Sequence, residues 1–218
     1  MLTRPALRFR TVVLDAVDPD LVGRFWLAAL GADLLRIERV CEAKRVKHRM
    51  HLDIDCERLT DLEALGARVV LPEADDRHWT VMADPEGGEF CAFLRTPPRD
   101  PRLHGVVLDC ADPVAQGRFW HRLLGGTLDE HGGAGWATIE GVLPGCTFDF
   151  VPVPEPKRGP NRIHLEFDAE SVAALVELGA RVLSSPPGDR PEDIAWQLLA
   201  DPEGNEFRVF PGPSDSGP

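Results

Sequence analysis

Two short stretches, RMHLDID at 49–55 and RIHLEFD at 162–168, each place a histidine two residues before a carboxylate. Side chains alternate along a strand, so Arg49, His51 and Asp53 share one face while Met50, Leu52 and Ile54 share the other. Arg162, His164 and Glu166 repeat the arrangement opposite Ile163, Leu165 and Phe167. The apolar set belongs against a core, which turns the polar set toward an open face. Further acids come from VVLD at 12–15 and 106–109, which carry Asp15 and Asp109 on strands of their own. The order of the chain groups His51 and Asp53 with Asp15, and His164 and Glu166 with Asp109. An imidazole beside carboxylates supports three kinds of chemistry. It can serve as a general base tuned by its acidic neighbour. It can hold a divalent cation through nitrogen and oxygen. It can also do no more than close hydrogen bonds inside a half-buried strand.

The elements that must position these residues occur twice. TVVLDAVDPDLVGRFWLAALG (11–31) returns as GVVLDCADPVAQGRFWHRLLG (105–125), 94 residues on. RMHLDID and LGARVVL (65–71) return 113 residues on, and DPEGGEF (84–90) returns as DPEGNEF (201–207) after 117. The second copy has therefore gained 19 residues after its first helix. In each copy a strand leads to a helix with Asp18 or Asp112 at the N-cap and Pro19 or Pro113 in the first turn. Gly31 and Gly125 end those helices. Trp26 and Trp120 lie on their apolar stripes and are expected in the core. Asp, Pro and Gly in DPEG are the residues of a type I turn, so the motif reads as the closing hairpin of each copy.

Composition narrows the function. The chain has 218 residues, 43% hydrophobic and 28% charged, enough for two small domains with real cores. A formal net charge of −12 speaks against nucleic acid as a partner. Five cysteines without a CxxC pair fit a reducing cytoplasm better than a disulfide framework, and no apolar run suits a signal peptide or a membrane span.

The ordered set of strand, DP-capped helix ending in FW…LG, RxHLD/E, LGARV and DPEGNEF resembles the glyoxalase-like domains of the vicinal oxygen chelate superfamily. That superfamily includes glyoxalase I, extradiol dioxygenases and the bleomycin-resistance proteins. The resemblance implies an α+β fold of tandem glyoxalase-like domains, built from paired βαβββ modules that form cupped mixed sheets with helices outside. Domain 1 is expected over 8–97, a linker over 98–102, domain 2 over 103–211 and a disordered tail over 212–218. The missing 19 residues shorten domain 1 by two strands.

The family's metal ligands are His or Glu from the first and last strands of each module. Carried over, these positions fall on Thr11 and Gly105, on Arg49 and Arg162, and on Cys91 and Arg208. Glu38, Val151 and Asp149 are nearest to the remaining one. Arginine cannot ligate a metal. The resemblance thus implies the fold without the usual metal site: no cofactor is expected, and a divalent metal in a displaced set is the lesser alternative. The expected function is binding of a small organic molecule in a cup-shaped pocket, in the sequestering manner of bleomycin-resistance proteins. An acidic surface with tryptophans and carboxylates in the cup suits a cationic or aromatic ligand. The alternative is a metal-dependent lyase, isomerase or dioxygenase-type enzyme with a non-standard site in domain 2. His164, Glu166 and Asp109 are then the catalytic candidates, and His51, Asp53, Asp15, Trp136, Arg162 and Arg208 the ligand-binding ones. Trp136 sits in a Gly-rich hairpin, HGGAGWATIEG, that either lines a pocket or makes an ordinary turn. The basic loops CEAKRVKHR (41–49) and PEPKRGPNR (154–162) echo one another. A cytoplasmic protein is expected, either a monomer of two fused domains or a homodimer, with neither nucleic acid nor membrane as partner.

Overall fold

A computed structural model describes residues 5–184 and 196–212. Residues 213–218 of the expected tail lie outside them. The first copy contributes β1 (Leu7–Ala16), α1 (Pro19–Leu30), β2 (Leu35–Arg39), β3 (Met50–Cys56), α2 (Leu59–Ala64), β4 (Arg68–Leu71), β5 (Thr80–Ala83) and β6 (Glu89–Leu94). The second contributes β7 (Leu103–Cys110), α3 (Pro113–Leu124), β8 (Thr127–Asp129), a 3-10 turn at His131–Gly133, β9 (Ala137–Leu143) and β10 (Cys146–Pro152). It continues with β11 (Ile163–Ala169), α4 (Val172–Glu177), β12 (Arg181–Ser184), β13 (Gln197–Ala200) and β14 (Glu206–Pro211). Among the described residues the first copy has no counterpart of β8 and β9, as its shorter first module requires.

The strands form a six-stranded sheet, β12-β13-β14-β11-β1-β2, and an eight-stranded sheet, β4-β5-β6-β3-β7-β10-β9-β8. Each sheet therefore takes one module from each copy. β1 runs antiparallel to β11, with Val13 opposite His164, and β3 runs antiparallel to β7, with His51 opposite Val107. The two modules of one copy meet instead through their helices. Trp26 of α1 packs edge-on against Phe90 of β6 at 5.2 Å between ring centroids, and Trp120 of α3 meets Phe207 of β14 at 5.0 Å. Trp120 also packs on Phe148 and Phe167, so the main core lies between the two sheets and both polar cups face away from it. The expected core positions of Trp26 and Trp120 are met, both being at most 2% exposed.

The N-caps are as read from the sequence. The Asp18 side chain accepts from Leu21 N, and that of Asp112 from Ala115 N. The DPEG motif makes the expected turn, with Gly87 N donating to Asp84 O and Gly204 N to Asp201 O. Its side chains also fasten the two modules of a copy together. Glu86 accepts from Val17 N and Asp18 N at the start of α1, and Glu203 accepts from Ala111 N and Asp112 N at the start of α3. The second acid anchors the basic loop: Glu89 takes Lys44 and His48 N, and Glu206 takes Lys157 and Asn161 N. The repeated motif is architecture.

Candidate functional site

Exchange of modules between sheets changes the grouping of the candidate residues. His51 and Asp53 share their cup with Asp109, not Asp15, and His164 and Glu166 share theirs with Asp15, not Asp109. The trio His164, Glu166 and Asp109 is not assembled, and neither is His51, Asp53 and Asp15. The reason is the sheet pairing: the helix packing within each copy leaves its first strands to be paired by the other copy. Nor is the complete set of strands a property of domain 2, because the eight-stranded cup draws β3 to β6 from the first copy.

In the eight-stranded cup, His51 stands between two carboxylates. Its Nδ1 is 3.0 Å from Asp53 Oδ1 and its Nε2 is 3.5 Å from Asp109 Oδ1. Burial opposes protonation of the ring, but Asp109 and Asp53 outweigh it and hold the pKa well above the ordinary value. Burial works to raise the Asp109 pKa, yet His51 and Lys47, whose Nζ is 2.7 Å from Asp109 Oδ2, bring it down. Cys91 Sγ lies 3.8 Å from His51 Nδ1, and burial pushes its thiol pKa up, so it is a weak nucleophile.

The far side of this floor belongs to β9 and β10. Asp149 accepts from the Thr138 hydroxyl at 2.7 Å and from the Thr147 hydroxyl at 2.6 Å. Burial, and after the two hydroxyls the charge of Asp53, leave its pKa raised. His131 Nε2 is 3.0 Å from Thr138 Oγ1, and its ring stacks on Trp136 at 3.4 Å. Trp136 thus stands at the cup of the eight-stranded sheet. On the opposite flank Trp79 stacks on Phe93 at 5.8 Å. Gly105, at the family's first-strand position, makes room for this arrangement. A Cβ there would stand 2.7 Å from Asp149 Oδ2 and 2.9 Å from Thr147 Oγ1. Gly105→Ala is expected to cost about 1–3 kcal/mol in urea denaturation. A loss under about 0.5 kcal/mol would show that the floor yields freely.

The six-stranded cup uses the same positions with different charges. Glu166, 1% exposed, is paired with both Arg36 and Arg208, and Glu38 also receives both. Burial first, then Arg208 and Arg36, lower the His164 pKa to about 3. Burial raises that of Asp15 to about 6, against the pull of Arg208. The twin histidines are thus driven in opposite directions by their neighbours. Arg162 donates to the carbonyls of Asp15 and Glu42 and faces the cleft between the two basic loops. In the six-stranded cup ion pairs occupy Glu166 and Glu38, while Asp15 Oδ1 and His164 Nε2 are buried without a hydrogen-bond partner among the described residues.

The residues at the family's metal positions do not fit a metal. In the six-stranded cup they are Thr11, Arg162, Arg208 and Glu38, and in the other Gly105, Arg49, Cys91 and either Asp149 or Val151, so each cup offers at most one carboxylate there and carries at least one arginine. Arg49 is committed to Glu155 O at 2.6 Å. A displaced donor set does exist: ligand atoms of His51, Asp53 and Cys91 all lie within 4.8 Å of one another. Reading by residue missed Lys47, Thr138, Thr147, His131 and Arg36. Alternation along CTFDFVP (146–152) carried the signal for Thr147 and Asp149, which fall on one face.

The sequence profile described as Glyoxalase-like domain matches residues 11–93 and again 105–210. The chain belongs to the glyoxalase-like domain family. No curated protein matches it. Among solved structures it is similar to glyoxalase I from Zea mays, at 13% identity and a TM-score of 0.61 over 94% of this chain and 92% of that one. The V278E variant of that enzyme gives 12% and 0.63 over the same shares. A candidate dioxygenase from Bacillus subtilis subsp. subtilis str. 168 gives 11% and 0.60, covering 97% of this chain and 87% of that one. At these identities the likeness is one of fold. Among the described residues, no helix is long and apolar enough to cross a membrane.

Proposed function

We propose that this chain binds a small organic molecule in the cup of the eight-stranded sheet, without the metal of the family's usual site. The observation that carries this is the contrast between the cups. In one, the buried Glu166 is closed off by Arg36 and Arg208. In the other, the corresponding acid, Asp53, keeps a buried Oδ1 for which no described residue supplies a well-aligned hydrogen bond. Aromatic side chains on both flanks, Trp79 and Trp136, suit an organic body. Thermal-shift screening of a small-molecule panel tests it. Hits should stabilise the protein and lose their effect in Asp53→Asn but not in His164→Gln. A panel without hits, or hits indifferent to Asp53, refutes the reading.

The donor set His51, Asp53 and Cys91 favours one second reading, a metal-dependent enzyme of the lyase, isomerase or dioxygenase kind. Nitrogen, oxygen and sulfur donors together suit a first-row transition metal. Stoichiometric zinc, iron, manganese or nickel in protein purified without chelators, lost in His51→Ala, would establish that reading and displace the first.

A further inference from the structure

The duplication gives each position in one cup a counterpart in the other, fixed by register. Arg208 stands opposite Glu166 as Cys91 stands opposite Asp53. Arg36 stands opposite Val13 as Asp149 stands opposite Val107. Trp196, just before β13, corresponds to Trp79 just before β5, 117 residues apart like the DPEG motifs.

In the six-stranded cup these positions form a built-in cation site. The Arg208 guanidinium is 3.3 Å from Glu166 Oε1 and lies over the Trp196 ring, 4.8 Å from its centroid. Arg36 closes on the same Glu166 oxygen. The eight-stranded cup keeps the acid and the tryptophan but neither guanidinium. Cys91, far shorter than arginine, cannot bridge Asp53 and the Trp79 flank as Arg208 bridges Glu166 and Trp196.

The remaining charges there do not supply the missing cation. Lys47 is held on Asp109. Arg95, Arg99 and His104 gather on the fully buried Asp55 farther along β3. Asp149 is hydrogen-bonded by two hydroxyls, with His104 acting on it only through its charge. His51 faces both Asp53 and Asp109, one imidazole ring for two acids. Its 3.0 Å approach to Asp53 Oδ1 lacks hydrogen-bond alignment, and that oxygen is buried. Lys47 and His51 thus both reach Asp109, while Asp53 Oδ1 has no aligned donor among the described residues.

Resting on the assignment of this cup as the binding cup, we infer that its ligand carries a planar cation, an amidinium or guanidinium on an aromatic or apolar body. That group takes the place of the Arg208 guanidinium, against Asp53 and along the Trp79–Phe93 flank. A planar fork matches a carboxylate in two hydrogen bonds and stacks on an indole, which a compact ammonium does less well.

Benzamidine and its neutral counterpart benzamide test this by isothermal titration on the full chain. Benzamidine is expected to bind at least tenfold more tightly than benzamide. Asp53→Asn should weaken benzamidine at least tenfold, and Cys91→Arg, which supplies the guanidinium from within, should abolish its binding. His164→Gln, in the other cup, should leave it unchanged. Asp53→Asn preserves shape, so the test survives if Cys91→Arg does not fold. No benzamidine binding, equal affinity for the two probes, or benzamidine binding indifferent to both variants overturns the inference. The broader assignment falls separately, when no molecule of the panel, neutral or charged, depends on Asp53.

Discussion

Replacing His164 by Gln is expected to remove about 3 kcal/mol of the stability that the protein loses between pH 7 and pH 4. The ring is 5% exposed, and burial, with Arg208 and Arg36 beside it, brings its pKa to about 3 from an ordinary 6.5. Above pH 6.5 the imidazole is neutral whether the chain is folded or not, and it contributes no pH dependence. Below 6.5 the unfolded chain binds the proton and the native chain refuses it until about pH 3. Stability therefore falls as pH drops through that window. His48 acts in the same direction, since burial lowers its pKa to about 4. Asp15 acts oppositely. With its carboxyl pKa raised to about 6, the native state takes a proton first and gains stability as pH falls toward the ordinary 3.8. His51 has the reverse sign from His164: its contribution is whole below 6.5 and is lost as pH rises through its elevated folded value. Urea denaturation of wild type and His164→Gln at pH 7 and pH 4 isolates the first effect. Equal losses in the two proteins would mean that His164 is already protonated in the native state.

Duplication, strand alternation and the DPEG hairpin were all legible because each is written in local residue order. Trp26, Trp120, both aspartate caps and the two absent strands follow from periodicity and offset alone. The grouping of the site residues was not legible. Whether β1 pairs with β3 or with β11 leaves every local pattern unchanged, because the alternating faces are the same either way. The difference lies in long-range contacts, such as Trp120 on Phe207 and Glu86 on the start of α1. Those contacts tie a copy together through its helices and hand its strands to the other copy. The charge of each cup was hidden for the same reason. Arg36 carries no signal in the sequence and Arg208 read as a ligand-binding candidate, until pairing places both on Glu166. Cys91 read as a lost metal ligand, and its contrast with Arg208 emerges only when the two cups are laid over one another.

The one letter that separates DPEGGEF from DPEGNEF yields the second large effect. In the second copy Asn205 donates its amide to Asp201 Oδ2 at 2.9 Å and accepts from Asn161 Nδ2 at 3.1 Å. In the first copy the partner of that amide is replaced by His48, and the glycine is what admits the larger ring. A Cβ on Gly88 would lie 2.9 Å from His48 Cε1 and 2.6 Å from Asp84 Oδ2. Gly88→Asn alone is therefore expected to cost about 2–3 kcal/mol by overpacking a buried site. His48→Asn alone removes a ring that has no hydrogen-bond partner on either nitrogen among the described residues, and leaves space behind. Together the two substitutions write the second copy's asparagine pair into the first, with Asp84 placed to accept as Asp201 does. The double variant should return to within about 1 kcal/mol of wild type, with a coupling energy of about 2 kcal/mol in a four-member denaturation cycle. Costs that simply add would show that Asp84, not His48, sets the limit at Gly88. Coupling would show instead that the difference between the two motifs is a packing choice made with the basic loop, one residue on each side of the contact.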